Sequence, residues 1–201
     1  MQGRVKISHM KWIFGYGSLI WRPGFQYKRH AVAELEGWTR RFSQGSPDHR
    51  GTPQRPGRVA NLHPLTGSSC WGVAFEVKDE HWHEVLAGLD HRESGGYQRA
   101  RVSVRVDLDT QLDCVTYVAP ETNPHHLGLA PIEQMIEQMR LARGPSGENR
   151  DYLFELQRAL KTLHIEDEHI NTLAAALRAR IIHIEGKLNP GSRDVEPPAA
   201  S

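Results

Sequence analysis

The sequence predicts an α+β protein. Three observations carry that prediction: period-two alternation in the first half, 3.6-residue apolar periodicity in the second, and few switches between the two. At 201 residues the chain is long enough for one domain with a sizeable core. We expect a single domain over 1–185 and a disordered tail, rich in Pro, Ser, Ala and charge, over 186–201.

The first strand is short, Trp12 to Phe14, and runs into Gly15-Tyr16-Gly17-Ser18-Leu19-Ile20-Trp21. Two glycines one residue apart permit a tight turn and close approach of a ligand to the main chain. Successive N–H groups in such a turn can form an anion-binding nest. A dinucleotide fingerprint is excluded, because the third glycine is missing and Trp21-Arg22-Pro23-Gly24 reads as a turn rather than a helix start.

Further strands follow at 29–36 (Ala31, Ala33, Leu35 inward) and 70–77 (Trp71, Val73, Phe75, Val77). Between them, residues 40–58 read as a long, positively charged loop, with Arg40, Arg41, Arg50, Arg55 and Arg58 against Asp48. Such a loop suits a small anion, since a guanidinium clamps a carboxylate bidentately. Nucleic-acid contact and a merely solvated loop are the alternatives. One helix is expected over about 79–90, with Asp79 as N-cap and Trp82, Val85, Leu86 and Leu89 on one face. Strands at 100–106 and 112–118 are joined by an Asp107–Thr110 hairpin turn. Three helices complete the chain. The first starts at Pro131 and carries Ile132, Met135, Ile136 and Met139. The second, from near Glu148, carries Leu153, Leu156, Leu160 and Leu163. The third runs from about Asp167 to Gly186.

Composition narrows the function. Hydrophobic content is 38%, charged content 24% and net charge +1, which gives no global bias towards nucleic acid. No apolar run approaches the roughly 18 residues of a membrane span, and residues 1–10 lack the apolar core of a signal peptide. Two cysteines, Cys70 and Cys114, make no secreted disulfide framework, so a reducing cytoplasm is expected. His81-Trp82-His83 and His125-His126 have poor chelate spacing, and no zinc motif or Gly-x-Ser-x-Gly elbow appears, so neither a metal site nor a serine triad is expected. Asp90-His91-Arg92-Glu93-Ser94-Gly95-Gly96-Tyr97 sets a carboxylate, a hydroxyl and a phenol at a helix–strand junction. From that local pattern alone, with Arg92 adjacent and Arg99 close, Glu93 reads as a surface or ion-paired residue sooner than as a catalytic one.

The blocks at 14–21, 38–46, 48–53, 56–59 and 89–97, with Gly144-Pro145-Ser146-Gly147-Glu148-Asn149 and Tyr152-Leu153, together resemble the ChaC family of glutathione-specific gamma-glutamylcyclotransferases. They span about residues 12–160. The resemblance implies a small mixed β-barrel of the gamma-glutamylcyclotransferase-like type, with flanking helices and a helical C-terminal half. It implies cofactor-free cleavage of reduced glutathione to 5-oxoproline and Cys-Gly. The family's catalytic glutamate maps to Glu93, and its γ-glutamyl-binding loop maps to Gly15, Tyr16, Gly17, Ser18, Leu19 and Ile20. Tyr97 and Tyr152 are further substrate-binding candidates. The implied partner is the small-molecule substrate, not nucleic acid or membrane. Other γ-glutamyl substrates, or a non-catalytic γ-glutamyl-binding regulator of cation transport, are the alternatives. His126, Ser94 and Asp151 stand where members usually carry tyrosine, lysine and glutamate.

Overall fold

A computed structural model describes residues 5–188. Five strands close into a barrel in the order β1-β3-β2-β4-β5: β1 (Val5–Gly15), β2 (Arg29–Ser46), β3 (Gly57–Val77), β4 (Gln98–Arg105) and β5 (Thr110–Val118). Four pairings are antiparallel, and β1 closes on β5 in parallel. The barrel is therefore mixed, as the family resemblance implies. The β4–β5 hairpin turns at Asp107, whose carboxylate accepts the N–H groups of Asp109 (3.0 Å) and Thr110 (2.8 Å).

Helix α1 (Trp82–Arg92) packs across the barrel on Ile13, Val77 and Tyr117 through Val85, Leu86 and Leu89. Asp79 does not cap it. A 3₁₀ turn at Asp79–His81 precedes the helix without a side-chain cap, and Asp79 pairs with Lys11 instead. The other helices, α2 (Ile132–Leu141), α3 (Asn149–Thr162) and α4 (Glu168–Leu188), share the larger core with Trp12, Phe14, Phe42 and Leu62. A two-residue hairpin, β6 (Arg143–Gly144) and β7 (Gly147–Glu148), joins α2 to α3. Helix α4 runs two residues beyond Gly186, its expected end; the rest of the predicted tail lies outside the described residues.

The expected arginine-rich loop at 40–58 is a correction. Residues 40–46 belong to β2 and 57–58 to β3, so only 47–56 connect them. Arg40 and Arg58 are buried girders. Arg40 donates to the carbonyls of Tyr16 (2.6 Å) and Trp71 and pairs with Asp167 (2.6 Å). Arg58 donates to Phe42 O (2.8 Å), Gly128 O (2.9 Å) and Gln138 Oε1 (2.7 Å). A guanidinium carries five N–H donors in a fixed fork, so it can satisfy several backbone carbonyls at once inside a core. The sequence reads as a charged loop because that satisfaction comes from distant carbonyls.

Candidate active site

Strand β1 ends at Gly15 and the chain turns through a short 3₁₀ segment, Ser18–Ile20. Ile20 N–H bonds Gly17 O (3.0 Å), so the Ser18 and Leu19 amides have no acceptor within the turn. Space at Gly17 is tight: a Cβ there would stand 3.0 Å from the Tyr152 hydroxyl. Gly15 is required by packing, because its Cβ would strike Leu19 Cβ at 2.7 Å.

This loop forms one wall of a cavity of about 840 Å³, lined by aromatic, polar and charged side chains. Tyr16, Gly17, Ser18 and Leu19 line it, as do Glu93, Tyr97 and Tyr152. Gly15 and Ile20 do not. Gly15 supports the turn from behind, and Ile20 packs against the core. Trp21, Asp48, Arg50 and Ser146, which the sequence places in the 14–21 block, the charged 40–58 stretch and the Gly144–Asn149 run without a role at the γ-glutamyl site, also line the cavity. The Gly144–Asn149 run contained the signal for Ser146. Of the other predicted arginine clamps, only Arg50 reaches the cavity; it is held by Glu148 O (3.2 Å) and Glu155 (3.3 Å).

Each polar group is held by an identifiable contact. Asn149, fully buried at the start of α3, accepts Arg58 N–H and donates to Arg58 O, both at 2.7 Å. That pair fastens α3 to β3 and sets Tyr152 one turn later. The Tyr152 ring is wedged edge-on against Trp21 and Phe42. Ser146 N–H donates to His49 O (2.9 Å), closing β6–β7 over the 47–56 connection. Gly96, with φ +95, turns the chain from α1 into β4, and a Cβ there would collide with Asn123.

Glu93 caps the C-terminal end of α1 and is largely shielded, with 18% of its side chain accessible. Burial raises its pKa; Arg92 and then His49 oppose the shift, and Asp48 adds to it. The phenols around it are neutral. Burial raises Tyr16 and Tyr97 far above the ordinary tyrosine range and pushes Tyr152 up to about 12, with the Glu93 charge adding to each. Tyr16 donates its proton to Tyr117 O and Tyr97 to Ala60 O, both at 2.7 Å. The Tyr152 proton has no such acceptor among the described residues. The site therefore holds a shielded carboxylate with an elevated pKa, one uncommitted phenol donor, and a loop with unspent amides. That set can move one proton and hold a compact anionic group. Among the described residues no cluster of His, Cys, Asp or Glu is arranged to hold a metal ion.

The ChaC-like protein family model matches residues 11–180. The chain belongs to the ChaC-like family. ChaC-like relatives include the Danio rerio glutathione-specific gamma-glutamylcyclotransferase 1, 39% identical over 176 residues, spanning 85% of this chain and 90% of the relative. The Arabidopsis thaliana gamma-glutamylcyclotransferase 2-3 is 39% identical over 175 residues, spanning 83% and 88%. Among solved structures, a yeast gamma-glutamyl cyclotransferase specific to glutathione superposes with a TM-score of 0.80 at 27% identity, covering 85% of this chain and 96% of that one. His126, Ser94 and Asp151, the positions at which the resemblance leads us to expect other residues in most members, lie outside the cavity lining. No helix among the described residues is long and apolar enough to cross a membrane.

Proposed function

We propose that this ChaC-like chain is a glutathione-specific gamma-glutamylcyclotransferase, with Glu93 as its proton-transfer group. The observation that carries the reading is the shielded carboxylate of Glu93, with its raised pKa, in the same cavity as the Tyr16–Leu19 loop. The relatives whose names state this activity support the substrate. The substrate α-amine is mostly an ammonium at neutral pH and cannot attack until it loses a proton. Glu93 takes that proton. The amine nitrogen then bonds to the γ-carbonyl carbon, closing the five-membered ring of 5-oxoproline. As the amide C–N bond breaks, Glu93 returns the first proton to the departing amine of Cys-Gly; the ring nitrogen, which still carries two protons, gives up the second to leave the neutral lactam, and that proton completes the ammonium of Cys-Gly. Atoms balance with no water consumed and no cofactor.

Because the reaction is intramolecular, the binding site's main task is to hold the glutamyl chain curled. Orientation of this kind supplies on the order of 7–11 kcal/mol of barrier reduction in favourable systems. Tyr16, Gly17, Ser18 and Leu19 hold the γ-glutamyl end, with Gly15 and Ile20 supporting them from outside the cavity. Tyr152, whose oxygen accepts a hydrogen bond from the Ala60 backbone, keeps its proton for the developing oxyanion, whereas the Tyr97 proton is committed to Ala60 O. The working unit is the single domain over 1–185, since α1, α3 and the barrel all supply cavity walls. A cytoplasmic location accords with two cysteines that are both free thiols and both buried.

The test is release of 5-oxoproline and Cys-Gly from reduced glutathione by the wild type and Glu93→Gln. Equal amounts of both products from the wild type are expected, with a loss of about 10²–10⁴-fold in the variant. A variant that turns over normally removes Glu93 from the reaction. A wild type silent on glutathione but active on a γ-glutamyl dipeptide moves the substrate assignment. Silence on both leaves a γ-glutamyl-binding regulator as the better account.

A further inference from the structure

Arg92 takes no part in the proton transfer above, yet its guanidinium joins the two walls that the reaction brings together. It is the last residue of α1, directly before Glu93. Nη1 donates to the carbonyls of Arg22 (2.8 Å) and Pro23 (3.0 Å), and Nη2 donates to Ser18 Oγ (2.8 Å). Nε stands 3.6 Å from Glu93 Oε1. One side chain thus grips the loop at its first turn and at its return, and touches the carboxylate as well. The return is shaped around it. Gly24 takes φ +76, and a Cβ at that position would come within 3.2 Å of Arg92 Nη1. Lysine cannot reproduce this, because three contacts in different directions need a planar fork.

We propose that Arg92 is the positioning residue of this site: it fastens the Ser18–Gly24 loop to the end of α1 and so fixes the bound γ-glutamyl group relative to Glu93. The proposal rests on the cyclotransferase reading. Its geometric basis is that a ligand held by the loop and a base held by the helix have no common frame unless something ties the two elements. The same guanidinium is the nearest cation to Glu93. The other groups facing that carboxylate are Asp48 and His49 from the 47–56 connection and the neutral phenols of Tyr16, Tyr97 and Tyr152. Arg92 therefore also favours the ionised, proton-accepting form of Glu93.

The two roles separate in two variants, Arg92→Lys and Arg92→Gln, assayed with glutathione across pH and followed by amide hydrogen exchange over residues 18–24. Arg92→Lys keeps the charge and loses the fork. It should lower kcat by about 10–100-fold, the size expected for misplacement by about an ångström, with a smaller change in KM. Its acidic limb should stay near the wild-type position. Arg92→Gln should lose kcat similarly and also shift the acidic limb of kcat/KM to higher pH, because the cation favouring the carboxylate is gone. Exchange over 18–24 should quicken in both.

A wild-type kcat and wild-type exchange in Arg92→Lys would overturn the proposal. So would a loss that only tracks the fraction folded, with the limb unmoved in Arg92→Gln. An Arg92→Lys chain that does not fold would assign Arg92 to the fold alone. If the wild type proves inactive on every γ-glutamyl compound, the cyclotransferase reading fails separately. The exchange data and the Glu93 carboxyl titration by NMR then still decide whether Arg92 ties loop to base.

Discussion

Arg40 and Arg92 both grip the loop that follows β1, and the contrast between them separates scaffold from site. Arg40, in β2, is 1% exposed and engaged through all three guanidinium nitrogens: two backbone carbonyls and the Asp167 carboxylate take its fork. It does not line the cavity. Arg92, at the end of α1, spends its terminal nitrogens on the loop but lies beside Glu93 at 3.6 Å, too long for a full hydrogen-bonded pair. Arg40 meets its carboxylate at 2.6 Å. A buried cation with tight partners stabilises one arrangement. A half-buried cation at arm's length from a carboxylate leaves that carboxylate able to exchange a proton.

The largest expected effect lies on the scaffold side. Arg40→Ala removes one partner of a buried pair, leaving Asp167 and two carbonyls behind. The cost should be about 3–5 kcal/mol. Denaturant unfolding reads it directly as a lower midpoint at unchanged slope. A midpoint near the wild-type value would place Arg40 with exposed ion pairs and erase the contrast.

Much of this division was legible in the sequence, and the parts that were not share a physical cause. Period-two alternation located β4 and β5 correctly, and the apolar stripes of α2, α3 and α4 gave those helices within a few residues. Those signals are local, because each side chain reports only whether its own face is buried. The second half of β2 was missed because Arg40, Ser43 and Gln44 are buried polar residues, Arg40 and Ser43 satisfied by partners outside the strand, so no alternation survives. Parallel closure of β1 on β5 is likewise non-local; the barrel was expected only through family resemblance. Glu93 was legible as a residue of the junction, but its shielding depends on walls from α3 and the 47–56 connection. Arg92 reads in the sequence only as an ion-pair neighbour of Glu93, since the acceptors that tie it to the loop are mostly carbonyls, which every residue carries.

A smaller effect tests the loop itself. Gly17→Ala would set a methyl 3.0 Å from the Tyr152 hydroxyl, on a ring already wedged against Trp21 and Phe42. That ring has little room to retreat, and overpacking of this kind costs about 1–3 kcal/mol. On the proposed function, the methyl would intrude where the loop is to hold the γ-glutamyl group. Glutathione KM should therefore rise about tenfold, equivalent to about 1.4 kcal/mol of binding. Steady-state kinetics with a matched thermal melt checks it. An unchanged KM would make the glycine pair a feature of the turn rather than of the site, and would move Gly17 to the same side of the contrast as Arg40.

The smallest effect follows from Glu93 working against the fold. Burial raises its pKa in the native state above the unfolded value of about 4.3. Below that unfolded value the carboxyl is protonated in both states and costs nothing. As pH rises through the native pKa, the native carboxyl must ionise in its shielded setting, and stability is lost. Glu93→Gln has no proton to lose. It should therefore melt higher than the wild type at neutral pH, by about 2–4 °C for each kcal/mol relieved in a chain of this length. The difference should close as pH falls towards ~4. Arg40→Ala should show no such gain at any pH, because its carboxylate partner is stabilised by the pair rather than strained. A Glu93→Gln variant that melts lower than the wild type at neutral pH would mean that Arg92 and Glu93 form a stabilising ion pair like Arg40 and Asp167. The carboxylate would then be too well held to serve as the base.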